Sequence, residues 1–180
     1  NITTDKCYEP NESSNGYLET DRLGGYDPYS NSKACSELVT ASFRNSFFNP
    51  KEYQKHGISL ATCRAGNVIG GGDWSKDRLI PDIIRGILKN ETIKIRNPNS
   101  TRPWQHVLDP LNGYLTLAEK LWFSGSEFSE SWNFGPLEKD EKPVKWIVEK
   151  LTKQYSKNIS WDIDNKTNPH EENHLKLNCI

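Results

Sequence analysis

Asp27-Pro28-Tyr29-Ser30-Asn31-Ser32-Lys33 opens the stretch on which the fold turns. Asp27 is a good N-cap, and Pro28 suits the first helical position, where a missing N–H costs nothing. Beyond them Cys35, Leu38, Val39, Phe43 and Phe47 recur at three- and four-residue steps, so the spacing predicts a long amphipathic helix running to about Asn49-Pro50. Before it, Asn1-Ile2-Thr3-Thr4 reads as the end of a strand, and Asn11 to Gly25 as a polar surface loop. After it, Ile58, Leu60 and Thr62 alternate with Ser59, Ala61 and Cys63. That is a strand whose two faces are both covered by small or apolar side chains, as a parallel sheet requires.

The alternation continues. Leu79 to Leu88 is a helix by period, with Ile80, Ile83, Ile84, Ile87 and Leu88 on its apolar side. Thr92 to Arg96 is a short strand and Asn97-Pro98-Asn99-Ser100 a turn. Pro110 starts another helix, capped by Asp109 and carrying Leu111, Tyr114, Leu115, Ala118, Leu121 and Trp122. Ser131 to Phe134 is a strand, Pro143 to Gln154 a helix with Val144, Ile147, Val148 and Leu151 inward, and Ile159 to Ile163 a strand. Asn165 to Asn173 is polar loop. The class is α/β, with parallel strands first and a more mixed region later.

Composition excludes several partners. The chain's 180 residues hold 23 basic and 24 acidic side chains, a net charge of −1, which gives no reason to expect nucleic acid or an anionic membrane surface. No apolar run approaches the roughly 18 residues needed to span a bilayer, and no signal-peptide pattern opens the sequence. A cytoplasmic protein is the expectation. Cys7, Cys35, Cys63 and Cys179 are scattered, without a C-x-x-C pair or a neighbouring His, so buried thiols and no metal are expected.

Tyr29 and Lys33 would stand one turn apart on one helix face. A phenol with a pKa of about 10 is a poor proton acceptor at neutral pH, but an ammonium one turn away, with a positively charged nicotinamide ring, would favour the phenolate. The same spacing also suits an interface tyrosine beside a solvated lysine. Thr4-Asp5-Lys6 places an acid and an amine at the strand end. An acid that donates and an amine that accepts at neutral pH need their pKa values shifted by burial, whereas an exposed Asp-Lys ion pair would oppose both shifts.

Thr4-Asp5-Lys6, Tyr29-Ser30-Asn31-Ser32-Lys33 and Arg64-Ala65-Gly66-Asn67-Val68-Ile69-Gly70-Gly71-Gly72-Asp73-Trp74 resemble the extended short-chain dehydrogenase/reductases that act on sugar nucleotides. The runs Arg78-Leu79-Ile80-Pro81-Asp82, Arg102-Pro103-Trp104-Gln105-His106-Val107 and Trp132-Asn133-Phe134-Gly135-Pro136 are similar to those of its CDP-glucose 4,6-dehydratase branch.

The resemblance implies the C-terminal part of a Rossmann-like doubly wound parallel sheet in residues 1–68. A smaller mixed α/β region for the nucleotide sugar would follow in 69–180, with 102–123 able to pack back on the first. The family's Gly-rich pyrophosphate-binding turn does not precede Thr4, so the sequence is expected to lack the first half of a cofactor domain. The implied cofactor is NAD, held in this chain by Tyr29 and Lys33.

In the chemistry so implied, Tyr29 takes the proton of the sugar's 4-hydroxyl and Lys33 assists it. Thr4 shares the 4-oxygen, Asp5 is the acid at the 6-hydroxyl, and Lys6 stands where many dehydratases carry the glutamate that acts as base at carbon 5. Asp5 argues for elimination rather than epimerisation, and Lys6 for the cytidine branch. Arg102, Asn67 and Asn133 match donors to the diphosphate, Arg78, Leu79 and Arg96 fall where loops pack around nucleotide and phosphate, and His170 matches a substrate-site histidine. Plainer roles stay open: Arg102 paired with Asp109, Asn133 capping a turn, His170 solvated. The resemblance further implies deoxysugar synthesis of the O-antigen kind and a homodimer built on the helix from Pro28, with Phe43, Phe47 and Phe48 as surplus apolar surface.

Overall fold

A computed structural model describes residues 1–11, 16–155, 159–164 and 175–179. Helix α1 spans Pro28–Ser46, followed by a short α2 at Tyr53–His56 and strands β1 at Thr62–Ala65 and β2 at Val68–Ile69. Next come α3 at Leu79–Lys89, β3 at Ile93–Ile95, β4 at Thr101–Arg102, β5 at Gln105–His106 and α4 at Leu108–Ser124. β6 at Ser131–Phe134, β7 at Lys142–Pro143, α5 at Val144–Tyr155 and β8 at Trp161–Ile163 complete the order.

β1 lies between two parallel neighbours. On one side it pairs with β6 from Thr62↔Ser131 to Ala65↔Phe134. On the other, Ile2 bridges Cys63, with Thr3 N donating to Cys63 O at 2.8 Å and Cys63 N to Asn1 O at 2.9 Å. β2–β5 and β3–β8 are parallel pairs and β4–β7 is antiparallel, which gives the parallel-then-mixed α/β character the sequence predicts. Ala61, Cys63 and Leu117 pack under this sheet, while Ile83, Ile93, Ile95, Ile147 and Val148 form a separate cluster between α3, β3 and α5. A third cluster joins Cys7, Tyr8, Tyr17, Ala34, Leu175 and Leu177.

Several expectations need correcting. α1 begins as read, with Asp27 Oδ1 accepting from Tyr29 N (2.9 Å) and Ser30 N (3.1 Å), but it ends at Ser46 and turns its polar side inward. Ser30, Ala34, Glu37 and Thr40 are buried, whereas Leu38, Val39, Phe43 and Phe47 are exposed. The inner face meets hydrogen-bonding side chains rather than an apolar sheet, so the largest apolar stripe is left outside. The strand read over 58–63 lies at Thr62–Ala65, because only from Thr62 onward does β6 supply hydrogen bonds.

α4 starts at Leu108, without a side-chain cap, and Asp109 instead accepts from His106 N at 3.2 Å inside the first turn. Leu88 is exposed beyond the face buried by α3. Tyr17, in the stretch read as surface loop, is 6 % exposed and stacks on Tyr8 with ring centroids 4.7 Å apart. Cys7 and Cys63 are buried thiols as expected, but Cys35 and Cys179 are exposed. The loop expected over 165–173 lies outside the described residues.

Candidate functional site

Thr4 to Cys7 turn off the end of the first extended segment in a single 3-10 turn, Asp5–Cys7, that packs against α1. Thr4 has extended backbone, and its Oγ1 donates to Asp5 Oδ1 at 3.0 Å and accepts from Lys6 N at 3.4 Å. Asp5 is 3 % exposed. It lies beneath Gly66, where a Cβ would stand 2.8 Å from Asp5 Oδ2 and 2.8 Å from Pro103 Cγ. Glycine is required there by close approach: any side chain would have to displace the carboxylate or a buried proline ring. Next to it, burial pushes the Cys7 thiol up to about 12, so it stays protonated.

The first turn of α1 is fixed from both sides. Gly25 N donates to Asn31 Oδ1 at 3.1 Å, and Ser30 Oγ to Asp27 Oδ2 at 2.6 Å. Hydrogen bonds from Ser30 hold the Asp27 carboxyl below its ordinary range, and the charge of Lys6 contributes, which brings Lys6 near the helix start. Tyr29 is 53 % exposed there, and Lys33 Nζ lies 6.0 Å from the centroid of its ring. Tyr29 is thus open to solvent and Lys33 half-buried beside it.

Lys6 also lines a cavity of about 330 Å³ with Asn67, Arg78, Leu79, Arg96 and Arg102. Lys6, Arg78, Lys94, Arg96 and Arg102 oppose the carboxylates of Asp73, Asp77 and Asp82 on its walls, an excess of cations in a chain of net charge −1. The acids are partly engaged: Asp82 pairs with Arg85, and Asp73 Oδ2 lies 3.9 Å from Arg78 Nε. Arg96 Nη2 donates to Asp77 O at 3.1 Å, and Arg102 Nη1 to Thr101 O at 3.0 Å. Arg102, 9 % exposed, has its guanidinium set into the wall. Such a wall suits a dianionic group with an apolar edge, the latter served by Leu79, Ile95 and Trp104.

Six of the residues singled out from the sequence therefore meet at this cavity, while Thr4, Asp5, Tyr29 and Lys33 are not on its walls. Asn133 lies elsewhere: Tyr8 Oη donates to its Oδ1 at 2.6 Å, and its Nδ2 donates to Tyr17 O at 2.9 Å and Asn178 O at 3.3 Å. His170 is outside the described residues. Among those residues no group of three or more His, Cys, Asp or Glu could hold a metal, and no helix is long and apolar enough to cross a membrane.

Sequence reading passed over the buried pair beneath α1. Glu37 Oε2 lies 2.8 Å from Arg64 Nη2, with the two side chains 1 % and 3 % exposed. Burial alone would raise the Glu37 carboxyl, but hydrogen bonds from Arg64, Thr3 and Thr62 outweigh it and hold the group below its ordinary value. Burial would likewise lower Arg64, but Glu37 and Tyr8 raise it, so both partners stay ionised. A signal was available: Tyr29, Lys33 and Glu37 step by four, one face of one helix.

Residues 1–129 match the NAD dependent epimerase/dehydratase family, well over half the chain. The chain belongs to that family. CDP-glucose 4,6-dehydratase of Salmonella typhimurium is 57% identical over 179 residues, 99% of this chain and 50% of that protein. Among solved structures, this member of the epimerase/dehydratase family is similar in fold to dTDP-glucose 4,6-dehydratase from Bacillus anthracis in complex with NAD, with a TM-score of 0.70, 20% identity, and 99% of this chain and 51% of that one covered. UDP-N-acetylglucosamine 4-epimerase from Methanobrevibacter ruminantium gives a TM-score of 0.78 at 18% identity, covering 99% of this chain and 53% of the other. These likenesses extend to the Rossmann-like fold of the epimerase/dehydratase family. The chain spans about half the length of the relatives it matches.

Proposed function

We propose that the protein carrying this chain dehydrates CDP-glucose to CDP-4-keto-6-deoxyglucose with NAD as cofactor. The observation that carries the reading is the 57% identity to a CDP-glucose 4,6-dehydratase across nearly the whole chain. The described site agrees with it: Lys6 of Thr4-Asp5-Lys6 lines a cationic cavity, and Tyr29 stands open beside Lys33.

Tyr29 and Lys33 would hold NAD, and the placement of an exposed Tyr29 beside a half-buried Lys33 on one helix face fits a cofactor lying across that face. When bound, NAD supplies a hydride acceptor for carbon 4 that returns the hydride at carbon 6. Tyr29 accepts the proton of the 4-hydroxyl, and Thr4, whose hydroxyl donates to Asp5 Oδ1 in the structure, would share the 4-oxygen by turning that proton to the substrate. Lys6, exposed and acting from its neutral form, takes the carbon-5 proton that the 4-keto group has acidified and gives a proton back to carbon 5 as the hydride reaches carbon 6. Asp5, buried beneath Gly66, gives its proton to the departing 6-hydroxyl, so that water leaves. Asn67, Arg78, Leu79, Arg96 and Arg102 hold nucleotide and diphosphate against the cavity wall.

The reading includes a cytoplasmic homodimer that pairs through α1, whose outward side offers Leu38, Val39, Phe43 and Phe47. Light scattering at micromolar concentration checks this, and a monomeric mass would sink it. Incubating the whole protein and NAD with CDP-, dTDP-, GDP- and UDP-linked hexoses, and following loss of one water by mass spectrometry, tests the activity. CDP-glucose should be converted fastest and Tyr29→Phe should nearly abolish turnover. Preference for another nucleotide, an epimerised product, or near-native turnover by Tyr29→Phe would each overturn the assignment.

A further inference from the structure

Glu37 is 1 % exposed, yet four donors from three parallel segments converge on its carboxylate. Arg64 Nη2 donates to Oε2 at 2.8 Å, Thr62 Oγ1 at 2.7 Å and, from β6, Ser131 Oγ at 3.5 Å. The other oxygen accepts a short hydrogen bond from Thr3 Oγ1. Arg64 is in turn anchored by Tyr8 Oη at 2.8 Å and Glu19 O at 3.0 Å.

A buried ion pair of this kind adds little net stability, since a well-packed apolar pair of the same volume often does as well. What it does provide is direction. Charge-assisted bonds to both oxygens fix the side chain's position and direction more narrowly than a non-directional apolar contact does. Glu37 lies on α1 about 6 Å along the axis from Lys33 and about 12 Å from Tyr29. Its partner Thr3 immediately precedes Thr4-Asp5-Lys6. The carboxylate is therefore a joint between the helix bearing one group of reacting side chains and the segment bearing the other.

We infer that Glu37 is a positioning residue, which through Thr3 and Arg64 sets the rotation and axial position of α1 and so places Tyr29 and Lys33 relative to Thr4 and Asp5. Its catalytic consequence rests on the dehydratase reading; the placement itself does not. A misplacement of about 1 Å between reacting groups costs on the order of 100-fold in rate. Losing the joint should thus act on kcat far more than on KM, because the cavity walls that hold the nucleotide do not touch Glu37.

The test uses the whole protein as parent, Glu37→Gln and, as a gentler change that leaves the ion pair intact, Thr3→Val. Hydrogen exchange and steady-state kinetics are measured on each. The expectation is that amides of residues 29–36 exchange about tenfold faster while those of α3 and α5 are unchanged. In parallel kcat falls at least about tenfold, with KM for CDP-glucose within about twofold. Should Glu37→Gln fail to fold, Thr3→Val decides alone. A folded variant with parental protection at 29–36 overturns the inference, as does parental kcat in a parent that turns over. If the parent converts no nucleotide sugar, the dehydratase reading falls, and the exchange data still decide the placement.

Discussion

Gly66→Ala converts the packing of Asp5 into a measurable quantity. The added methyl would stand 2.8 Å from Asp5 Oδ2, 2.8 Å from Pro103 Cγ and 3.5 Å from Asp5 Cγ. Carbon atoms rest at roughly 3.5–4.0 Å, so the neighbours must retreat by roughly 0.7–1.2 Å. Pro103 is fully buried and rigid, which leaves Asp5 to move. Overpacking of this size costs about 1–3 kcal/mol, offset by about 0.4–1 kcal/mol from the reduced entropy of the unfolded chain. A net loss of up to roughly 2.6 kcal/mol follows, read as a lower urea midpoint with an unchanged slope. Because the displaced group is the proposed acid, turnover should also fall by about 10- to 100-fold, with a 4-keto hexose that still has its 6-hydroxyl accumulating. A variant as stable and as active as the parent would refute the placement of Asp5 beneath Gly66.

Glu37 makes stability depend on acidity. Its folded value lies below the ordinary 4.5, so the stabilisation it gives is complete above that value and lost as pH falls through the folded one. Melting curves from about pH 7 to about pH 3 should show the gap between parent and Glu37→Gln closing in the acid range, and a constant gap would count against the pair. Asn133→Ala strips partners from Tyr8, Tyr17 and Asn178, and should cost about 2–3 kcal/mol in urea unfolding. Calorimetry on the same variant should leave CDP affinity within about twofold, since the amide is committed inside the fold; a large loss would restore Asn133 to the ligand. Arg102→Lys removes a planar fork from the cavity wall and should weaken CDP binding about tenfold, about 1.4 kcal/mol. Unchanged binding would exclude Arg102 from the diphosphate.

Local chemistry was readable where it was self-contained. Asp27-Pro28 caps α1, Ser131–Phe134 forms a strand and α5 turns Ile147 and Val148 inward, each signalled by the residue types within its own short stretch. The cavity residues were accessible only through the family resemblance, since no periodicity brings Lys6 to Arg102. What escaped is the choice made by distant partners. Periodicity finds the apolar stripe of α1 but cannot tell that Arg64, Thr3 and Thr62 wait beneath the opposite side. The same blindness hid Tyr17, whose burial depends on Tyr8 and Leu177, and left Asn133 with a motif but no orientation.

The walls of the cavity come almost wholly from residues 67–104, with only Lys6 and Val144 outside that stretch. Thr4, Asp5, Tyr29 and Lys33 all precede residue 34. On the proposed dehydratase reading, recognition and bond-making are written in separate passages of the chain, so exchange of one contiguous segment could alter which nucleotide is accepted while the reacting groups stay in register. Among the described residues Lys6 is the one proposed for both tasks, so on that reading a change there is felt in affinity and in turnover together.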